Sequence, residues 1–164
     1  MSRVAYIALG SNLGDPIAHI QFAFKELETL SQTPVRQSSL WRSEPVDCPP
    51  GSPNFINAAA AIEPLTEETP ETLLAKLQAL EKSAGRQPKV VMNEPRPLDL
   101  DIIAFGSEQR SSANLTIPHP RFHERSFVLK PLAEIAPDAA FPGQARSIAE
   151  ILDALAPDDS LIRL

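Results

Sequence analysis

Asp99 and Asp101 stand two positions apart inside an otherwise apolar run, Leu98-Asp99-Leu100-Asp101-Ile102-Ile103. Such a run reads as a buried strand, and a buried strand seldom tolerates one carboxylate, let alone two. Alternation along a strand puts residues i and i+2 on one face. The two carboxylates therefore project side by side, with Leu100 and Ile102 packed on the opposite face. Like charges that close repel unless something positive lies between them. A hard divalent cation meets that need, and magnesium carrying a phosphate ligand suits the pair best. The residues alone leave a second reading open, a strand end at which both carboxylates simply meet solvent.

Other groups have chemical potential of their own. Arg86, Lys89 and Arg96 gather positive charge just ahead of the acidic strand. Guanidinium groups there either clamp phosphate oxygens in pairs or stay solvated. A cationic loop leading into a metal-ligand pair is what triphosphate handling requires. Phe55 and Asn57 share one face of another expected strand. A ring beside an amide can hold a flat heterocycle, or can be a core Phe and a strand-end Asn. His119 lies between Pro118 and Pro120, in extended backbone, near Arg121 and Arg125. It is placed either to touch a phosphate or to serve a Pro-rich turn. Gly10-Ser11-Asn12-Leu13-Gly14 joins a strand to a helix without the lysine of a phosphate-binding loop, and reads as a tight turn.

These groups need elements to carry them. Val4 to Leu9 is an unbroken apolar run, as in a central strand. Asp15-Pro16 makes a helix start, with Ile17, Ile20, Phe24 and Leu27 at helical spacing. Val35 to Arg42 reads as a second strand. Ser43 to Asn54 is a Pro-rich loop of the kind that carries function. Phe55 to Ile62 has helix-favouring alanines, but its length and its bounding Pro53 and Pro64 favour a strand. Thr69-Pro70 opens a second helix with Leu73, Leu74, Leu77 and Leu80 on one face, closed by Gly85. Arg86 to Pro97 is a second long loop, and Leu98 to Phe105 the acidic strand. A short strand is expected at Leu115 to Ile117 and a helix over Phe127 to Ile135. Ser147-Ile148-Ala149-Glu150 is a capping box opening a last helix. The order β-α-β-β-α-β with additions points to an α+β fold, a mainly antiparallel sheet covered by helices.

The 164 residues suit a single domain, 1–164, large enough for a real core. A net charge of −6 argues against wholesale binding of nucleic acid or anionic membrane. The 17 prolines alternate with apolar segments and so stiffen loops rather than signal disorder. Cys48 is the only cysteine, which rules out an internal disulfide and a cysteine-based metal site. No stretch is long enough to span a membrane, and the N-terminal apolar run lacks a signal-peptide pattern. A cytoplasmic monomer is expected.

In this order the motifs closely resemble the 6-hydroxymethyl-7,8-dihydropterin pyrophosphokinase family of the folate pathway. The resemblance spans nearly the whole chain. It runs through Ala5-Tyr6-Ile7-Ala8-Leu9-Gly10-Ser11-Asn12-Leu13, Phe55-Ile56-Asn57-Ala58-Ala59, Glu81 with Gly85-Arg86, and Pro95-Arg96-Pro97-Leu98-Asp99-Leu100-Asp101-Ile102. Ile117-Pro118-His119-Pro120 and Arg125-Ser126-Phe127 complete it. It implies a ferredoxin-like core and transfer of pyrophosphate from ATP to the pterin hydroxymethyl group, with release of AMP. It implies that Asp99 and Asp101 hold two magnesium ions bound with ATP. By the same resemblance Arg86 and Arg96 are catalytic loop arginines. Gln78, Glu81, His119 and Arg125 join them in contacting ATP. Phe55 and Phe127 sandwich the pterin, Asn57 is its amide partner, and the backbone of Ser43, Pro45 and Val46 reads its polar edge. Pro88, Met92, Asn93 and Glu94 in the second long loop, and Glu44 in the first, depart from the family pattern. A magnesium-dependent nucleotidyl transferase or phosphodiesterase using the same aspartates is an alternative. So is a ferredoxin-like binding module with an inert acidic pair. Neither needs the Phe55, Phe127 and Asn57 clamp.

Overall fold

A computed structural model describes residues 3–44, 51, 53–85 and 97–164. The expectations for Pro45, Val46, Cys48, Arg86, Pro88, Lys89, Met92, Asn93, Glu94 and Arg96 lie outside the described residues. The elements are β1 (Ala5–Ser11), α1 (Pro16–Leu27), β2 (Arg36–Gln37), β3 (Trp41–Ser43), β4 (Phe55–Ile62) and α2 (Pro70–Ser83). They continue with β5 (Asp99–Phe105), β6 (Arg110–Ser111), β7 (Thr116–Ile117), α3 (Ser126–Ile135), α4 (Ile148–Ala154) and β8 (Ile162–Arg163). The main sheet has the order β5-β1-β4-β3-β8, with β2 also on β4, and its pairings are antiparallel. The β-α-β-β-α-β core is thus the ferredoxin-like one expected.

Alternation along the strands feeds two apolar layers. Ile7 and Leu9 of β1, Ala58 and Ile62 of β4, and Leu100 and Ile102 of β5 pack with Ile20, Phe24 and Leu27 of α1 and Leu73 and Leu77 of α2. On the other face, Ala59, Ile103 and Ala104 meet Leu129 and Leu132 of α3 and Ile148 and Ile151 of α4. The β1–β5 register jumps from Tyr6–Ala104 to Ile7–Ile102, so Ile103 is an extra residue. This bulge inverts the alternation, and Phe105 returns to the α1–α2 layer.

Local signals set the helix ends. The Asp15 carboxylate accepts the Ala18 N–H at 3.2 Å, and Pro16 follows it. Thr69 with Thr72, and Ser147 with Glu150, form capping boxes. Each cap is worth about 1 kcal/mol. Gly85 follows α2 with φ 96°, a left-handed backbone that suits glycine.

Several expectations are corrected. The strand expected over Val35 to Arg42 is broken into β2 and β3. Between them Ser38 enters the ladder with its side chain, as its Oγ accepts the Ala59 N–H at 2.8 Å. A hydroxyl standing in for a carbonyl interrupts regular pairing. Gly10 and Ser11 are not a turn but the end of β1, paired with Asn57 and Ile56. The turn begins at Asn12. Ile17 is 40% exposed, and the buried face of α1 starts at Ile20. Of the short strand expected at Leu115 to Ile117, only Thr116 and Ile117 are paired, with β6.

Candidate functional site

The last residues of β1 cross the middle of the sheet at its chemically active end. Gly10 pairs with Asn57 on one side and Asp99 on the other. In the next row Ala8 pairs with Ala59 and Asp101. Since Leu100 and Ile102 belong to the α1–α2 layer, the flanking Asp99 and Asp101 face the α3 side, both half-buried. The shared face expected from their spacing is therefore present.

Gly10 leaves bare floor between the acidic pair and Asn57. A Cβ there would stand 3.7 Å from Phe55 Cδ1 and 3.8 Å from Asn57 Oδ1. Asn57 is 4% exposed, and its amide nitrogen donates to Ser43 Oγ at 2.7 Å and to the Trp41 carbonyl at 3.4 Å. These bonds orient the Asn57 amide and leave its oxygen toward Gly10. Phe55 stands beside it, half-buried. Phe127, in the first turn of α3, packs against the apolar layer on this same side of the sheet, and the Arg125 guanidinium lies 5.7 Å from its ring. Phe55 and an oriented amide thus border one side of the bare floor, and Phe127 lies in the apolar layer on the same side of the sheet.

The acidic side is held from behind. β5 is an outer strand of the sheet. The buried Glu81 carboxylate accepts the Leu100 N–H at 2.8 Å, the main-chain donor between the two aspartates. Expected as an ATP contact, Glu81 makes a strand-holding contact here, while Gln78, one turn earlier in α2, is exposed. His119 donates its main-chain N–H to the Ile103 carbonyl at 2.8 Å, and its Nδ1 accepts the Arg121 N–H at 3.1 Å. The neutral ring therefore carries its proton on Nε2. Burial, reinforced by the positive charge of Arg125 and opposed by Asp99, lowers the His119 pKa from 6.5 to about 4. A cavity of about 270 Å³ runs along the outer edge of β5, reaching Asp101, His119, Asn114 and Leu74.

A larger concavity, about 560 Å³, opens elsewhere beside Gln32, Leu65, Glu68 and Lys76. It adjoins the loop after the far end of β4, roughly 20 Å along that strand from Phe55. Its buried Glu68 is bound by Lys76 at 2.9 Å and by the Thr72 hydroxyl, and Arg3 ties down the Leu65 and Glu68 carbonyls. It is a fastened loop rather than a site. Gly10 was missed as part of the site because a glycine after an apolar run reads as a turn. A glycine in a strand also marks close approach by another group, which was the available signal.

A metal fits the donor set in one particular way. Among the described residues no group of three or more His, Cys, Asp or Glu gathers that could hold an ion. Two neighbouring carboxylates supply hard oxygens but no full cage. That suits magnesium, which keeps most of its ligands as water and substrate phosphate.

A family model described as 7,8-dihydro-6-hydroxymethylpterin-pyrophosphokinase matches residues 6–137. The chain is 42% identical over 161 residues to the 2-amino-4-hydroxy-6-hydroxymethyldihydropteridine pyrophosphokinase of Haemophilus influenzae, covering 98% of this chain and 97% of that one. It is 40% identical over 165 residues to the Pseudomonas aeruginosa protein of the same name, covering 100% and 98%. The crystal structure of Plasmodium falciparum HPPK-DHPS with pteroate superposes with a TM-score of 0.72 at 11% identity, over 93% of this chain and 44% of that longer one. That likeness bears on the fold. The chain belongs to the 7,8-dihydro-6-hydroxymethylpterin-pyrophosphokinase family, and transfers pyrophosphate from ATP to hydroxymethyldihydropterin in folate biosynthesis.

Proposed function

We propose that the bare floor at Gly10 seats the pterin and that Asp99 and Asp101 face the triphosphate beside it. The observation that carries this reading is the row Asn57–Gly10–Asp99 across three neighbouring strands. It sets an oriented amide and an acidic pair on either side of a position without a side chain. The pterin ring stacks between Phe55 and Phe127, while Asn57 and the backbone of Ser43, Pro45 and Val46 hold its polar edge. Asp99 and Asp101 hold two magnesium ions that arrive with ATP and offset the charge of its phosphates.

The chain's own groups do the rest. The two aspartates place the triphosphate over β5, next to the hydroxymethyl group of the seated pterin. His119, neutral near pH 7, presents its Nε2–H as a hydrogen-bond donor to a phosphate oxygen, and Arg125 adds positive charge. Gln78 and Glu81 flank the nucleotide, and Glu81 also keeps β5 in place. Arg86 and Arg96 offset negative charge on the transferred group. The pterin hydroxymethyl oxygen attacks the β-phosphorus and loses its proton to solvent, the bond from that phosphorus to the bridging α–β oxygen breaks, and AMP leaves with that oxygen. Positioning and charge suffice, because the substrate is the nucleophile. We further infer that residues 1–164 form one domain and act as a cytoplasmic monomer. Among the described residues no helix is long and apolar enough to cross a membrane.

Incubating the protein with magnesium, ATP and hydroxymethyldihydropterin, and separating the nucleotides, tests the reading. AMP and the pterin pyrophosphate should form in equal amounts. Formation of ADP, or turnover without the pterin, would overturn it.

A further inference from the structure

Glu134 lies in the last turn of α3 and is exposed, yet its carboxylate is crowded with donors. Its Oε1 accepts the Trp41 indole N–H at 2.6 Å, and its Oε2 accepts the Ser39 hydroxyl at 2.7 Å. The Ser39 main-chain N–H lies 3.1 and 3.2 Å from the two oxygens. Partial burial raises the pKa of this carboxyl, but the Trp41 and Ser39 donors outweigh it and, with Arg163 nearby, hold it below its ordinary value. At the next residue, the Ile135 carbonyl accepts from the Arg36 guanidinium at 2.8 Å. The end of α3 is thus fastened to the β2–β3 segment through two residues of the helix.

Both sides of this fastening carry the pterin site. On the strand side, Trp41 offers its carbonyl to Asn57, and Ser43 offers its hydroxyl to the same amide. On the helix side, positions 127 and 134 are close to two turns apart, so they share one side of α3. Any rotation or slide of α3 against β3 would move Phe127 relative to the floor formed by Gly10 and Asn57. A glutamate reaching across this seam with charge-assisted bonds opposes such movement.

We propose that Glu134 is a positioning residue for the pterin subsite: by bridging α3 to Trp41 and Ser39 it fixes the gap between Phe127 and the Asn57–Ser43 wall, without touching substrate. The proposal rests on the pterin site assigned above.

Pterin affinity is the discriminating measurement. A fluorescent hydroxymethylpterin is titrated against the wild type and against E134A, E134Q and W41F, with a non-hydrolysable ATP analogue and magnesium present. Nucleotide affinity, kcat at saturating pterin, and Tm are measured on the same proteins. Losing these charge-assisted bonds should weaken pterin binding by about tenfold in E134A. Nucleotide affinity and kcat should stay within about twofold, since the acidic side of the site is untouched. E134Q keeps an acceptor for the indole and should recover most of the loss. Adding W41F to E134A should weaken binding little further, because both substitutions cut the same bridge. Pterin affinity in E134A equal to that of the wild type overturns the proposal. So does equal weakening of both ligands, which would mark a merely structural residue. Should E134A fail to fold, W41F decides, with about threefold weaker pterin binding expected from the loss of one hydrogen bond and unchanged affinity counting against it. A wild type that binds nucleotide but no pterin refutes the pterin site itself, and this proposal with it.

Discussion

The two faces of β5 share one backbone and have opposite tasks. Leu100 and Ile102 are each 4% exposed and lie in the layer under α1 and α2. Asp99 and Asp101, interleaved with them, are half-buried on the α3 side. A strand can place core and chemistry within one residue of each other because its side chains alternate. Energy for holding the strand comes from one face, and charge for the reaction from the other. Neighbouring substitutions should then fail in different ways.

The largest effect belongs to the acidic face. Replacing Asp101 or Asp99 by Ala should lower turnover by at least about 10³-fold, equivalent to about 4 kcal/mol of barrier. Thermal melting without ligands should move by no more than a few degrees, because neither carboxylate belongs to an apolar layer. Activity within a few-fold of wild type at saturating magnesium would end the metal-bridging assignment. The complementary change is Leu100→Ala. Truncating a buried leucine costs about 2–5 kcal/mol, so the urea midpoint should fall sharply. The fraction still folded should turn over at close to the normal rate. If Leu100→Ala lost activity as completely as Asp101→Ala while remaining folded, the two faces would not be separable.

Gly10→Ala sharpens the division further. The added methyl would meet Phe55 and Asn57 at ordinary contact distances of 3.7 and 3.8 Å, so folding should be little changed. It would nonetheless occupy floor assigned to the pterin. An increase in the pterin KM of about tenfold, with ATP KM unaltered, is expected, the size of one misplaced contact in a packed site. An unchanged pterin KM would place the ring elsewhere.

Features written in local pattern were legible in the sequence. The shared face of Asp99 and Asp101 follows from a period of two. The caps at Asp15, Thr69 and Ser147 are side-chain chemistry within three residues. Features decided by distant partners were not legible. The break between β2 and β3 depends on Ser38 meeting Ala59, and the fastening of Trp41 to Glu134 spans 93 positions. β8 has two residues and takes its place from β3. Such short pairings carry no periodicity of their own. Gly10 was read by its local habit as a turn residue, and its strand place depends on Asn57 and Asp99. The site was therefore legible as a set of residues, and its floor only as geometry.

The smallest effect separates the two faces by pH. The layer under α1 and α2 is packed from apolar side chains, whereas the α3 side holds His119 with its pKa lowered to about 4. In the unfolded chain the same imidazole titrates near 6.5. Between these values the unfolded chain binds a proton that the folded ring refuses, so stability rises with pH across this window. Its contribution is complete above about 6.5, declines as the pH falls toward 4, and is level below that. Urea midpoints of the ligand-free protein should thus drop between pH 7.5 and pH 5, and His119→Gln should drop by less over the same interval. The gap should close if the ring is in fact open to water, because an exposed imidazole has the same proton affinity folded or unfolded. Equal slopes for both proteins would then free His119 from its buried, neutral state and remove the basis for treating it as a fixed Nε2–H donor beside Asp99.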